Sequence, residues 1–573
     1  MNLKKIFSKE TSIYETWRLC NAENSDIPAI EYFGNQWTFK ETNEIIDIYA
    51  RAFMSMLPDR TKSVTFCTPT LPSTLFAFYA LNKIGIRANF VSHTILPSNP
   101  KEYIDETDTE ILVLFDGFFP AVAPEITKTN IKNIIIISLS DNITTIPDYA
   151  PEQIRNRLQK GDSVQRIKSA IPHLNIISLD SFVSRGEQST EAVESVFNKG
   201  ETAVILYTGG STGVPKGVEI INEAFAKMSM IFAHEDMNFN PKPGDRNMLI
   251  IPPNHPTAFV HGLVTWWNWG ITQVLQPIYN KFAFASDLYN LKPQMTIAAP
   301  TLYATLPSCD LPDGALKHLH IPFCGGEAVT AELATSINNA LKRLGAQNPY
   351  ISIGYGMSEI GPCTHLSIGV SALVNKVGKP MPEVIARIVD DNGNVLGDNM
   401  RGNLQIKTPC RMKGYFKKPE LTKEFFTEDG YAITGDIAVR DENGYYDVIG
   451  RAMDSIFEPD GSKTYLFDIE RVIYKEAAVL EAEVVGIEVG GKRIPAVHIV
   501  LNPDSIGKDE EVIKRVHKLC QDNLPSNQIP HGYKIHEVFA VNPISTKRDY
   551  KALSLEYDGY FMVDGDMVRG VSF

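Results

Sequence analysis

Residues Thr202–Val218 read TAVILYTGGSTGVPKGV. The run AVILY has the composition of a buried strand. Thr208, Gly209, Gly210, Ser211, Thr212 and Gly213 then remove bulk, so that backbone N–H groups can turn toward one point while three hydroxyls add donors. Such a nest binds oxyanions. Pro215 stiffens the exit and Lys216 adds a cation. Composition alone is equally compatible with a surface turn after a strand. The stretch is not a G-x-x-x-x-G-K-[ST] loop, because no glycine directly precedes Lys216 and no Ser or Thr follows it.

Around this loop, short β-branched runs alternate with helical patterns. SVTFCTP (63–69), LPSTLFAFYALNKIG (71–85), ANFVSHT (88–94), ILVLFDG (111–117), NIIIISLS (133–140) and MTIAAPT (295–301) follow this order. It predicts parallel sheets with crossover helices. From about 377 to 450 the texture changes to short strands between Gly, Asn and Asp turns, as in a small antiparallel or barrel-like unit. Gly, Pro and charge cluster near Met453, after which EAEVVGIEVGGKRIPAVHIVL (481–501) reads as two strands around a Gly-Gly turn, with helical patterns on either side. The expectation is an α/β chain: a large N-terminal domain (1–452) of parallel α/β sheets with a small barrel-like subdomain, then a smaller, mobile α+β domain (453–573).

The chain has 573 residues, more than one core normally serves. Its net charge of −13 argues against a nucleic-acid or membrane-surface partner. Seven scattered cysteines without a CxxC read as free thiols of a reducing cytoplasm. No stretch approaches the roughly 18 apolar residues of a membrane span.

The loop closely resembles the phosphate-loop signature of adenylate-forming enzymes, the superfamily of acyl-CoA synthetases, stand-alone adenylation domains and luciferases. Gly209 stands where the family usually has serine. Further resemblances follow in order. GYGMSE (354–359) is similar to the family's Tyr-Gly-x-Thr-Glu segment, with Ser358 in the threonine place. The resemblance implies that Tyr355 packs against adenine, that Gly354, Gly356 and Met357 bind the nucleotide with it, that Ser358 reaches the α-phosphate and that Glu359 holds Mg2+. CGGEAV (324–329) resembles the adenine platform, implicating Gly325, Gly326 and Glu327. In YAITGDIAVRDENGYYDVIGR (431–451), Asp436 would accept both ribose hydroxyls and Arg451 would reach ribose or phosphate. KGYFKKPELTKEFF (413–426) resembles the segment upstream of it.

Toward the C-terminus the match loosens. GRAMD (450–454) has Met453 where the family has lysine, with Asp454 at the hinge position and Gly461 as the loop glycine of a thiol tunnel. NPISTKRDYKAL (542–553) makes Lys547 the adenylation lysine, with Lys551 in reserve. Within NHPTAFVHGLVTWWNWG (254–270), His255 or His261 matches the family's pocket histidine, and most of the aromatics are expected to pack in the core.

The resemblance implies an acid–thiol ligase using ATP, Mg2+ and coenzyme A. Thr212, Glu359 and Lys547 would be the catalytic residues, and the protein a monomer or homodimer. Two alternatives stay open: loading of a separate carrier protein or closure of a β-lactone, and a nucleotide-binding module without catalysis.

Overall fold

The computed structural model describes residues 3–146, 149, 152, 155–156, 163–208, 215–237, 239–278, 280–327, 329–368, 376–457, 463–539, 550–564 and 567–572. The chain forms two compact units. The first comprises 1–386, 406–432 and 444–446, and the second 387–405, 433–443 and 447–573.

Two large sheets organise the first unit. In the eight-stranded sheet the spatial order is Gly414–Tyr415, Lys216–Ile221, Thr202–Thr208, Arg87–Phe90, Ser63–Cys67, Thr109–Phe115, Asn133–Ile137 and Asn175–Ser178. From Thr202–Thr208 onward the neighbours are parallel. The strand that returns from the phosphate-type loop is antiparallel, pairing Thr208 with Lys216. In the nine-stranded sheet, five successive parallel pairings run from Pro28–Tyr32 through Thr272–Leu275, Arg246–Leu249, Met295–Ala298 and Ile321–Gly325 to Ser352–Met357. Parallel strands are buried on both faces, which is why Thr109–Phe115, Asn133–Ile137 and much of Thr202–Thr208 read as continuous apolar runs.

The helix Pro72–Lys83 connects Ser63–Cys67 to Arg87–Phe90, and all twelve of its residues are buried. A helix buried all round belongs inside a layer rather than on its surface. Phe78 meets Phe259 edge to face at 4.8 Å, and Tyr79 meets Trp267 at 4.7 Å while donating from Oη to the Leu263 carbonyl. Trp266, Trp267, Phe259 and Tyr303 are all fully buried core residues, as expected of most of these aromatics. His261 is also a core residue, edge-on to Phe232 at 5.1 Å, and burial pushes its pKa down to about 3.

In the second unit, Val479–Val489 and Lys492–Leu501 form the expected hairpin. Gly490 and Gly491 adopt φ of 58° and 78°, the double left-handed turn that matches strand twist and that side chains disfavour. Gly532–His536 joins in parallel, and Tyr560–Asp564 with Met567–Val571 complete five strands. The helices Leu466–Ile473 and Asp509–Asn523 cover one face, burying Ile469, Ile473, Val512 and Val516 against Val484, Val497 and Ile499. A four-stranded sheet, Ile385–Val389, Arg401–Lys407, Ala432–Arg440 and Tyr446–Arg451, occupies the stretch whose texture changes in the sequence, and most of it belongs to this unit. All seven cysteines are free. Among the described residues no helix is long and apolar enough to cross a membrane.

Candidate active site

Within the first unit, three distant sequence segments converge on one ring. Tyr415 pairs through its backbone with Val218, on the strand that begins at Lys216. Its ring carries the Lys216 ammonium 5.1 Å from the centroid, and its Oη donates to Glu359 Oε1 at 2.9 Å. Glu359 lies on a short 3-10 turn after Ser352–Met357 and is 6% exposed; its carbonyl accepts from the Met412 N–H at 2.8 Å. Burial first, and the adjacent carboxylate second, push the Tyr415 phenol up, so it stays a donor. Gly217 has a packing reason, because a Cβ there would lie 3.1 Å from Ile205 Cγ2 and 3.2 Å from Tyr207. Thr208 and Lys216 face each other across the mouth of the loop; Gly209, Gly210, Ser211, Thr212 and Gly213 lie outside the described residues.

The adenine-platform segments are adjacent strands. Gly325 and Gly354 are register partners, and a Cβ on Gly325 would sit 3.1 Å from the Gly354 carbonyl. Gly326 takes φ of 93°, open to glycine and disfavoured for other residues. At Gly356 a Cβ would come within 2.4–2.6 Å of the Gly361–Pro362 backbone, so the neighbouring strand excludes any side chain. Tyr355 lies between Gly354 and Gly356. The Thr364 hydroxyl donates to its carbonyl at 3.2 Å, and its ring meets His365 at 5.8 Å. Burial holds His365 neutral, with a pKa of about 3, and it packs edge-on to Tyr446 at 4.7 Å. Ser358 is buried, while Met357 and Glu327 are half-buried.

The second unit holds the TGD and GR residues together. Asp436, 5% exposed, accepts from Arg451 Nε at 3.1 Å. Arg451 Nη1 also donates to the Thr434 carbonyl, and the Asp436 N–H donates to Thr434 Oγ1, both at 3.1 Å. Gly435, at φ of 74°, makes the tight turn between them. Gly450 is needed because a Cβ would lie 2.2 Å from Phe467 Cδ1. Asp454 continues the segment: its N–H donates to the Arg451 carbonyl and its carbonyl accepts from the Leu466 N–H. Burial, opposed by Arg451 and Arg493, pushes its carboxyl up to about 6. Met453 is exposed. Gly461 and Lys547 lie outside the described residues, and Lys551 falls on the short helix Tyr550–Ser554.

Tyr415, within KGYF (413–416), carries no motif role of its own. Its signal was a strand-like GY placed to pair beside the phosphate loop. His365 had no motif at all. His255 is half-buried, and its backbone carbonyl accepts from the Phe259 N–H.

Residues 17–416 match the AMP-binding enzyme family. A long-chain-fatty-acid–CoA ligase of Haemophilus influenzae is 24% identical over 542 residues, covering 91% of each chain. Among solved structures, the anthranilate CoA ligase AuaEII in complex with anthranoyl-AMP superposes with a TM-score of 0.77 at 17% identity, over 96% of this chain and 98% of that one. ATP-bound MatB from Rhodopseudomonas palustris gives a TM-score of 0.76 at 19% identity, over 94% and 98%. The fold is that of adenylate-forming enzymes, and the resemblance first met in the TGGSTG loop holds along nearly the whole sequence. With 400 consecutive residues matched and the motif strands arranged as described, the chain belongs to the AMP-binding enzyme family.

Proposed function

We propose that the chain joins a carboxylic acid to the thiol of coenzyme A, consuming ATP and releasing AMP and pyrophosphate. The observation that carries this reading is the convergence of Lys216, Tyr415 and Glu359 at the mouth of the loop in a chain of this family. The acid arrives ionised, so no general base is required. Its oxygen attacks the α-phosphorus, the bond to the β-bridging oxygen breaks, and pyrophosphate leaves. Both reactants are anions, so catalysis rests on charge neutralisation and alignment.

Thr208, Ser211, Thr212 and the glycines at 209, 210 and 213 cradle the phosphates, with Lys216 supplying charge. Gly325–Glu327 and Gly354–Met357 flank adenine, Ser358 reaches the α-phosphate, and Asp436 with Arg451 receives the ribose. Glu359 presents a buried, oxygen-only donor held by a phenol, which is a donor set that suits a hard cation. Mg2+ bound there would offset phosphate charge. Lys547 bridges the acid and the α-phosphate. In the second half the thiol loses its proton and attacks the acyl carbon, and AMP leaves, with Gly461 lining the thiol route. Residues 1–452 bind ATP and acid, and 453–573 supply Lys547 and the acceptor side. The acid has an apolar tail, following the long-chain relatives, and the reaction takes place in the cytoplasm.

The deciding experiment measures pyrophosphate release over a panel of carboxylates, long-chain fatty acids first, with and without coenzyme A. Acid-dependent pyrophosphate together with coenzyme A-dependent AMP release supports the proposal. AMP release indifferent to coenzyme A moves the acyl group to a carrier protein or an internal hydroxyl. Absence of pyrophosphate exchange with every acid leaves a binding module.

A further inference from the structure

We propose that the C-terminal unit carries a second, separate metal site, for a divalent transition ion of the Zn2+ type, built from His498, His536 and Glu556. One ligand atom from each of these side chains lies within 4.8 Å of the others. His498 stands in mid-strand on Lys492–Leu501 and is fully buried. Its register partner on Gly532–His536 is Lys534, so His536, two residues on, is its diagonal neighbour on the same face. The rings meet with His498 Nδ1 2.8 Å from His536 Nε2. Glu556 arrives from beyond the helix Tyr550–Ser554, 3.9 Å from His536 Nε2.

The surroundings suit ligation. His498 Nε2 lies 2.8 Å from Tyr560 Oη. With its proton on Nε2 and donated to that oxygen, His498 turns the Nδ1 lone pair toward His536. A metal-bound imidazole characteristically has its far nitrogen held in this way. His536 becomes a ligand through Nε2 when its proton moves to Nδ1. Lys534 Nζ sits 2.6 Å from Glu556 Oε2, the same oxygen that faces His536, so Glu556 binds singly through Oε1 only once its carboxylate turns, with Lys534 keeping Oε2. Two imidazoles and a carboxylate are a common three-ligand zinc set, with a fourth position for water and bonds of about 2.0–2.1 Å. Such bonds set ligand atoms roughly 3.4 Å apart, so the rings open slightly and Glu556 swings in. His536 and Glu556 are the ligands that can move and admit the ion, their side chains being 15% and 32% exposed. The ion would clip two strands to the segment after Tyr550–Ser554. His498 and His536 stand 38 residues apart without a motif, so the sequence gives no hint of the site.

Full-length protein, stripped with a chelator, is titrated with Zn2+ against a chromophoric competitor, and Co2+ is added separately to read its visible ligand-field bands. The expected result is about one equivalent bound, Co2+ bands of a low-coordinate nitrogen–oxygen site, and a Tm that rises with Zn2+. His536→Gln and Glu556→Gln each weaken binding by at least the roughly 10–100-fold that loss of an outer-shell partner causes, and remove the Tm rise. His536 is the main test position because it is partly exposed, whereas His498→Gln risks the fold. No uptake by the wild type, or uptake unchanged in His536→Gln and Glu556→Gln and so due to other groups such as the half-buried Cys309, overturns the proposal.

Discussion

The Tyr415 hydroxyl donates to Glu359 Oε1 across 2.9 Å while the same ring carries the Lys216 ammonium on its face. One aromatic side chain thus fixes the carboxylate proposed for Mg2+ relative to the lysine that closes the phosphate loop. A hydrogen bond to a charged group is worth about 1.5–3 kcal/mol where it is buried. Tyr415→Phe keeps the ring and removes the donor. The expected outcome is a KM for Mg·ATP raised on the order of tenfold, about 1.4 kcal/mol, with a stronger dependence on free Mg2+. Steady-state kinetics across a Mg2+ series checks this; an unchanged KM removes Tyr415 from the site.

Lys547→Ala separates the two half-reactions. Acyl-adenylate formation, followed by pyrophosphate exchange, is expected to fall at least about 100-fold, as for loss of one charge-stabilising donor. Thiolation of a supplied acyl-adenylate should stay within about threefold. Equal loss in both halves would count against the assignment, and retention of exchange in Lys547→Ala but not in Lys551→Ala would move the role to Lys551.

Asp454 makes stability depend on pH. Burial raises its carboxyl from 3.8 to about 6 in the folded chain. The folded state therefore holds this proton more tightly than the unfolded one. The contribution is fully present below about pH 4 and is lost as pH rises through about 6, with a magnitude on the order of 3 kcal/mol. Asp454→Asn cannot ionise. Its Tm relative to wild type should climb between pH 4.5 and pH 7.5. Parallel Tm curves over that range would show that Asp454 titrates normally.

Gly450→Ala drives a methyl into Phe467, whose ring is buried and stacked on Tyr465 at 5.1 Å. Overpacking of this kind costs about 1–3 kcal/mol. The expected Tm falls by several degrees, and the loss shrinks when Phe467→Ala is combined with it, a coupling readable in a double-mutant cycle. Additive effects would mean that the strand, not the ring, resists the methyl.

Asp436 and Arg451 share an ion pair within the second unit, which leaves Asp436 held before any ribose arrives. Arg451→Ala should therefore raise the KM for ATP even if the arginine never touches nucleotide, whereas Arg451→Lys, a single point charge without the guanidinium fork, recovers only part of the loss.

The sequence by itself determined the family, the parallel α/β plan and the position of nearly every strand that bears a motif. These are local properties: apolar runs mark buried strands, and glycines mark places such as Gly356, Gly217 and the Gly490–Gly491 turn where a Cβ collides or φ is positive. The tail after Leu553 was also legible in principle, since it holds two short strand-like runs, Tyr560–Asp564 and Met567–Val571, which pair antiparallel. Tertiary structure alone decided which side chains meet. Tyr415 reaches Glu359, Arg451 reaches Asp436, and His498 reaches His536 through strand register and crossover, which join residues 15 to 56 positions apart. Burial, likewise set by the packed chain and not by neighbours in sequence, is what turned His261 and His365 into neutral core residues and lifted Asp454 toward pH 6.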